Sequence, residues 1–173
     1  MPSEASPSAV VMLGIDGVRV LGAQHADGEV ELTVETTTDR DRCPACGVRA
    51  HSKGRPVVVV RDVDAFDRRA RLRWIKRRWR CPEPACPAGS WTKQHPAVGA
   101  RTVLTERARE RACRRVGRDG HSVAAVARDL GVGWHTTMRA VIDHGESLVD
   151  EPARTSGVRA LGVDETTFLQ ARR

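Results

Sequence analysis

The run Ser122-Val123-Ala124-Ala125-Val126-Ala127-Arg128-Asp129-Leu130-Gly131-Val132-Gly133-Trp134-His135-Thr136-Thr137-Met138-Arg139 carries two helical periods separated by a glycine-flanked turn. Ser122 is an N-cap, and Val123, Val126, Ala127 and Leu130 recur at i, i+3, i+4 and i+7. Gly131 sits where a helix end wants a left-handed residue. The next helix places Trp134, Met138, Val141 and Ile142 on one apolar stripe, and its first turn offers His135, Thr136, Thr137 and Arg139 to the outside. Two short helices joined through glycine, with Val132 buried in the turn, predict a helix-turn-helix. Its second helix would enter the major groove of double-stranded DNA, where Thr methyls and hydroxyls, His and Arg all read bases. Trp134, at the head of that helix, is counted with the DNA-facing group.

The preceding helix, over about 104–117, carries Arg107, Arg111, Arg114 and Arg118 on roughly one face, suited to phosphate contact. With helices over 122–130 and 134–148, residues 98–150 make a three-helix DNA-binding unit. Its boundary falls near His95-Pro96-Ala97-Val98-Gly99. An ordinary three-helix bundle is the rival, and the arginine-rich surroundings and neighbouring cysteines weigh against it.

Upstream lie two cysteine knuckles, Cys43-Pro44-Ala45-Cys46-Gly47 and Cys81-Pro82-Glu83-Pro84-Ala85-Cys86, with 34 residues between them. Tetrahedral zinc takes four soft ligands, and two short loops each supply two thiolates to one point. Gly47 frees backbone N–H groups to turn toward sulfur. Cys43, Cys46, Cys81 and Cys86 therefore form a zinc-ribbon-like site with no open position, which makes the Zn2+ structural. Two disulfides or a redox dithiol compete with this reading. Nothing signals export, and the C-x2-C pair precedes a polar loop instead of opening a helix after a strand. His51 and His95 are weaker candidate ligands, and Cys113 reads as a small buried hydrophobe.

The remainder of residues 1–97 is strand-like. Val18 to Ala23 and Val30, Leu32 and Val34 flank the turn signal Ala26-Asp27-Gly28. That hairpin alone buries little apolar surface. Val57 to Val60 and Ala70, Leu72, Trp74 and Lys76 form a second hairpin with its turn within 64–67. The fold class is α+β: a small β-rich zinc-binding domain, then the helix-turn-helix. Val158 to Val163 adds one more strand.

Composition excludes several classes. No run approaches the roughly 18 apolar residues of a membrane span. Met1 to Ala9 carry no Lys or Arg, unlike a secretory signal. The chain reads as soluble and cytoplasmic, on the bacterial nucleoid, with no membrane partner. Its formal charge of +7 is segregated. Residues 1–39 hold seven acidic residues and only Arg19, a net of −6, whereas residues 40–80 carry a net of +10. Such segregation suggests a polyanion partner for the middle of the chain.

Zinc ribbon, basic strands ending in Arg77-Arg78-Trp79-Arg80-Cys81 and then a helix-turn-helix is an order that resembles transposases of the insertion-sequence L-three family. Leu161-Gly162-Val163-Asp164-Glu165-Thr166-Thr167-Phe168 extends the resemblance. In that family an RNase-H-like domain carries three acidic residues that hold two divalent metals, usually magnesium, to cut and join DNA. By the motif, Asp164 corresponds to the first catalytic residue, and 151–173 to a linker and the first strand of that domain. The remaining carboxylates have no counterpart here, so Mg2+ would belong to a full-length catalytic form, and no strand transfer is expected from this polypeptide alone. The resemblance implies recognition of terminal inverted repeats, with a homodimer on paired element ends. The alternatives are a free-standing zinc-ribbon/helix-turn-helix transcriptional regulator and a zinc-dependent protein-interaction module.

Overall fold

The computed structural model describes residues 13–37, 41–150, 155–160 and 162. Within them the strands are β1 (Val18–Ala26), β2 (Glu29–Thr36), β3 (His51–Gly54), β4 (Val57–Ala65), β5 (Arg68–Ile75), β6 (Arg78–Arg80) and β7 (Ser90–Thr92). The helices are α1 (Glu106–Gly117), α2 (Val123–Leu130) and α3 (Trp134–Val149). Each helix begins and ends within two residues of the span its sequence predicts.

Both hairpins form as the turn chemistry requires. Asp27 and Gly28 adopt φ of 56° and 76°, and Phe66 and Asp67 adopt 54° and 59°. Two successive left-handed residues give a turn whose twist matches that of the flanking strands. The hairpins then join through a parallel pairing of β2 with β5, Val30 opposite Ala70 and Val34 opposite Trp74. The resulting four-stranded sheet runs β1-β2-β5-β4. This pairing supplies the apolar partner that the first hairpin lacks by itself.

One face of the sheet is the main core. Val18, Val20, Val34, Val60, Leu72 and Trp74 pack there with Leu13, Ile15 and Val98. Trp74 is fully enclosed, and its indole N–H donates to Thr36 Oγ1 at 3.0 Å, so burial leaves no polar atom stranded. His95 lies against Trp74, with ring centroids 5.0 Å apart, and bonds to Asp16 O. It is thus a packing residue.

The opposite face corrects the reading of the charge pattern. Glu29, Glu31 and Glu35 of β2 stand among the arginines of the neighbouring strands. Glu29 pairs with Arg61, and Glu31 with Arg71 at 2.8 Å. Glu35 pairs with Arg55, with Arg19 at 3.0 Å and with Arg77 at 3.2 Å. Much of the basic middle of the chain is therefore neutralised by the acidic N-terminal third, because the parallel pairing sets the two side by side.

A smaller sheet, β3-β6-β7, drawn from both sides of the β4–β5 hairpin, carries the cysteine knuckles. The helices pack on a separate core of Leu104, Ala108, Ala112, Val126, Leu130 and Ala140. The residues around the expected boundary at 97/98 are built into both cores. Val98 is buried in the sheet core, and Arg61 of β4 bonds on either side of Leu104, accepting from Thr105 N at 2.9 Å and donating to Val103 O at 2.7 Å. Two further expectations fail. Of 158–163, the described residues Val158, Arg159, Ala160 and Gly162 form no strand and are exposed, and no described strand pairs with them. On α3 the enclosed residues are Thr137 and Ala140, while Trp134 and Ile142 of the expected stripe are half exposed. The reason is size: α3 approaches α1 through small residues, with Gly145 against Cys113 and Ala108 and Ala112 completely buried, and bulky side chains are turned aside. No described helix is long and apolar enough to cross a membrane.

Candidate metal centre and nucleic-acid interface

Each knuckle is a short turn whose backbone aims its thiols inward. In the first, Gly47 N–H donates to Cys43 O at 2.9 Å, and Gly47 holds φ at 73°, which only glycine adopts without strain. In the second, Cys86 N–H donates to Glu83 O at 3.1 Å. Asp41, leading into the first knuckle, accepts from Trp91 Nε1 at 3.3 Å and Lys93 Nζ at 3.2 Å, which ties it to β7 and the residue beyond.

The four sulfurs of Cys43, Cys46, Cys81 and Cys86 all lie within 4.8 Å of one another. Cys43 and Cys86 approach to 3.5 Å, as do Cys46 and Cys81. A tetrahedron with bonds of about 2.3 Å has sulfur–sulfur edges of about 3.8 Å, so the cluster is the size of a Zn–S4 site. All four cysteines are free thiols, and neither His51 nor His95 joins them. The N–H groups of Cys46 and Ala45 bring the Cys43 thiol down to about 6, while burial pushes Cys81 up to about 12. Packed thiolates repel one another, and a divalent cation at their centre removes that penalty. The donor set fits structural zinc with no open position.

The helix-turn-helix is built as its caps predict. Ala125 N–H donates to Ser122 Oγ at 3.2 Å. Gly131 sits at φ 66°, ψ 37°, and Val132 N–H returns to Ala127 O at 3.0 Å. The turn is clamped from outside: Arg61 lies 3.4 Å from where a Gly131 Cβ would stand, and Arg69 Nε donates to Asp129 O at 3.1 Å. The sheet thus braces the end of α2. Neither arginine is marked by local sequence, because each reaches across 60 residues of chain or more.

The predicted DNA-facing residues divide into three groups. Trp134, His135 and Arg139 are exposed along α3, the Trp134 and His135 rings meeting edge-on at 5.2 Å. Thr136 is half buried and lines a cleft with Arg101, Thr102, His135 and Arg139. Thr137 is completely buried, so it serves the core and not the groove. On α1, Arg111, Arg114 and Arg118 are exposed. Arg107 is not available to phosphate: its Nε donates to Asp62 Oδ1 at 2.8 Å, and its guanidinium also bonds Leu13 O. Thr105 Oγ1 donates to the same Asp62 oxygen at 2.6 Å, so Arg107 and Asp62 lock α1 to β4. Arg101, exposed on the flanking loop with φ of 60°, is a basic residue of this surface that helical periodicity does not reveal. Asp164 lies outside the described residues.

Two family models match the chain. One, described as the zinc-finger of transposase IS204/IS1001/IS1096/IS1165, covers residues 39–86. The other, the helix-turn-helix domain of transposase family ISL3, covers 94–145. Together they span more than half the sequence. No curated protein and no solved structure matches it.

Proposed function

This chain belongs to the ISL3 transposase family, whose zinc-ribbon and helix-turn-helix domains it carries as a DNA-binding part, and on that premise we propose that it recognises the terminal inverted repeats of a mobile element. The observation that supports this best is α3 itself. It carries His135 and Arg139 at its exposed N-terminal half, on a helix pair whose turn is clamped to a rigid sheet. A reader held that way presents side chains to base edges without first paying to order them. Paired element ends call for a homodimer, and the working location is nucleoid DNA in the cytoplasm. In a full-length catalytic form, Asp164 would be the first of the acidic residues that hold magnesium for cutting and joining.

Selection from random duplex DNA by the zinc-loaded chain tests the reading. A single enriched motif that matches the ends of the parent element is expected, and salt-sensitive binding with no motif would overturn it. Arg139→Ala should erode sequence preference, whereas Arg111→Ala should weaken all sequences alike and lower the salt slope by about one.

A further inference from the structure

The loop ahead of α1 holds an arginine in an unusual place. Among the described residues, those with positive φ that are not glycine are Asp27, Phe66, Asp67 and Arg101. The first three make the two hairpin turns, where such geometry is required. Arg101 lies in no hairpin, yet it keeps φ at 60°, a conformation that favours glycine. Its side chain neither pairs with a carboxylate nor makes a hydrogen bond among the described residues. Nothing within the described fold therefore accounts for an arginine at this position.

The loop is nevertheless firmly held. Thr102 Oγ1 donates to Gly99 O at 3.1 Å, Arg61 N–H of β4 donates to Val103 O at 2.7 Å, and Glu106 N–H donates to Ala97 O at 2.8 Å. Arg101 thus stands at a fixed place, beside the reading end of α3. It lines a cleft of about 410 Å³ with Thr102, His135, Thr136 and Arg139. Asp143, the carboxylate on the lining, is bonded to Arg109, which leaves Arg101 and Arg139 unpaired there.

Groove dimensions say what Arg101 meets. An α-helix with its side chains is about 10–12 Å across, and the major groove is about 12 Å wide. With α3 in the groove, no room remains on its floor for a second element, so a loop beside α3 lies over the sugar-phosphate ridge. We infer that Arg101 is a positioning residue that binds a backbone phosphate at the edge of that groove and fixes how His135 and Arg139 meet the bases. The inference rests on the DNA-binding role proposed above and adds a contact that holds α3 in register without itself reading sequence. A guanidinium suits this ligand, because its forked N–H groups match two phosphate oxygens and it stays charged at any working pH.

The test uses the full zinc-loaded chain and the duplex that it selects. Arg101→Gly removes the side chain and leaves a residue suited to φ of 60°, so the melting temperature should stay close to that of the unmodified chain. Binding should weaken about tenfold with the same preferred motif, and the salt slope should fall by about one. Arg101→Lys, which keeps the charge, should recover most of the slope. Replacing single phosphates of the duplex by neutral methylphosphonates locates the contact. One substitution at the margin of the α3 footprint should weaken the unmodified chain and leave Arg101→Gly unaffected. Unchanged affinity and slope in Arg101→Gly, or no sensitive phosphate at that margin, would overturn this inference alone while the motif is still bound. A changed motif would put Arg101 on a base edge and refute the backbone assignment. Absence of any selected motif in the unmodified chain would instead overturn the DNA reading beneath it.

Discussion

Around its thiols the ribbon buries Ala50 and Trp79 besides Cys43 and Cys81, whereas the helical unit encloses Leu104, Ala108, Ala112, Val126, Leu130 and Ala140. The ribbon strands are three or four residues long, and two of its knuckle positions remain partly or fully open to solvent. The helices, by contrast, carry side-chain caps at Thr105 and Ser122 and a left-handed glycine cap at Gly131. One module is ordered by ligand bonds converging on a point, the other by apolar packing and capped ends. Between them lies the four-stranded sheet, which touches both and sets their spacing. The difference teaches that the two modules should fail separately, under different insults.

Metal removal is the strongest way to break the comparison. Chelation should unfold the ribbon while α1 to α3 keep their structure, because binding energy of about 10–16 kcal/mol for such a site is folding energy. Amide hydrogen exchange resolves the two; equal loss of protection in the helices would mean that the modules are not separately held. The next largest effect is on the lock between sheet and helices. Asp62→Ala leaves Arg107 and Thr105 facing a buried void, and the chain should lose about 3 kcal/mol in denaturant unfolding. That loss should be shared by sheet and helices, which would sharpen the view that β4 is common to both.

A smaller effect is expected at the turn. Gly131→Ala forces a side chain onto a left-handed backbone and toward Arg61, so a loss of about 1–2 kcal/mol is expected. The ribbon should be untouched, as read by unchanged metal affinity. The smallest effect is electrostatic. Arg55 and Arg19 outweigh the burial of Glu35 and hold its carboxyl below the ordinary 4.5. A folded value below the unfolded one gives stability that is present above about pH 4.5 and disappears as pH falls through the folded value. Melting temperatures of the native chain and Glu35→Gln should therefore differ at neutral pH and converge in acid; parallel curves down to pH 2 would remove Glu35 from the account.

Much of this was legible locally. The caps at Ser122 and Gly131, the turns at Asp27-Gly28 and Phe66-Asp67, and the cysteine spacing each depend on residues close in sequence, and each appears as read. What failed were the readings that needed a distant neighbour. Arg107 looks like a phosphate contact by periodicity, yet Asp62, 45 residues earlier, claims it. Thr137 looks like a groove residue, yet the smallness of α1 draws it inward. The Trp134–Ile142 stripe looked like core for the same reason, since amphipathic spacing marks an apolar face without saying whether a neighbour has room for it.

By itself, then, the sequence determined the two hairpins, three helices, a four-thiol ligand set and the order that marks the family. These rest on backbone propensities and ligand spacings, which act over a few residues. The tertiary structure alone decided that β2 lies parallel to β5, and with it that the acidic third of the chain neutralises much of the basic middle. It also gathered Arg19, Arg55 and Arg77 on the one carboxylate of Glu35. Charge pairing depends on separations of a few ångströms in space, and no count along the chain contains them.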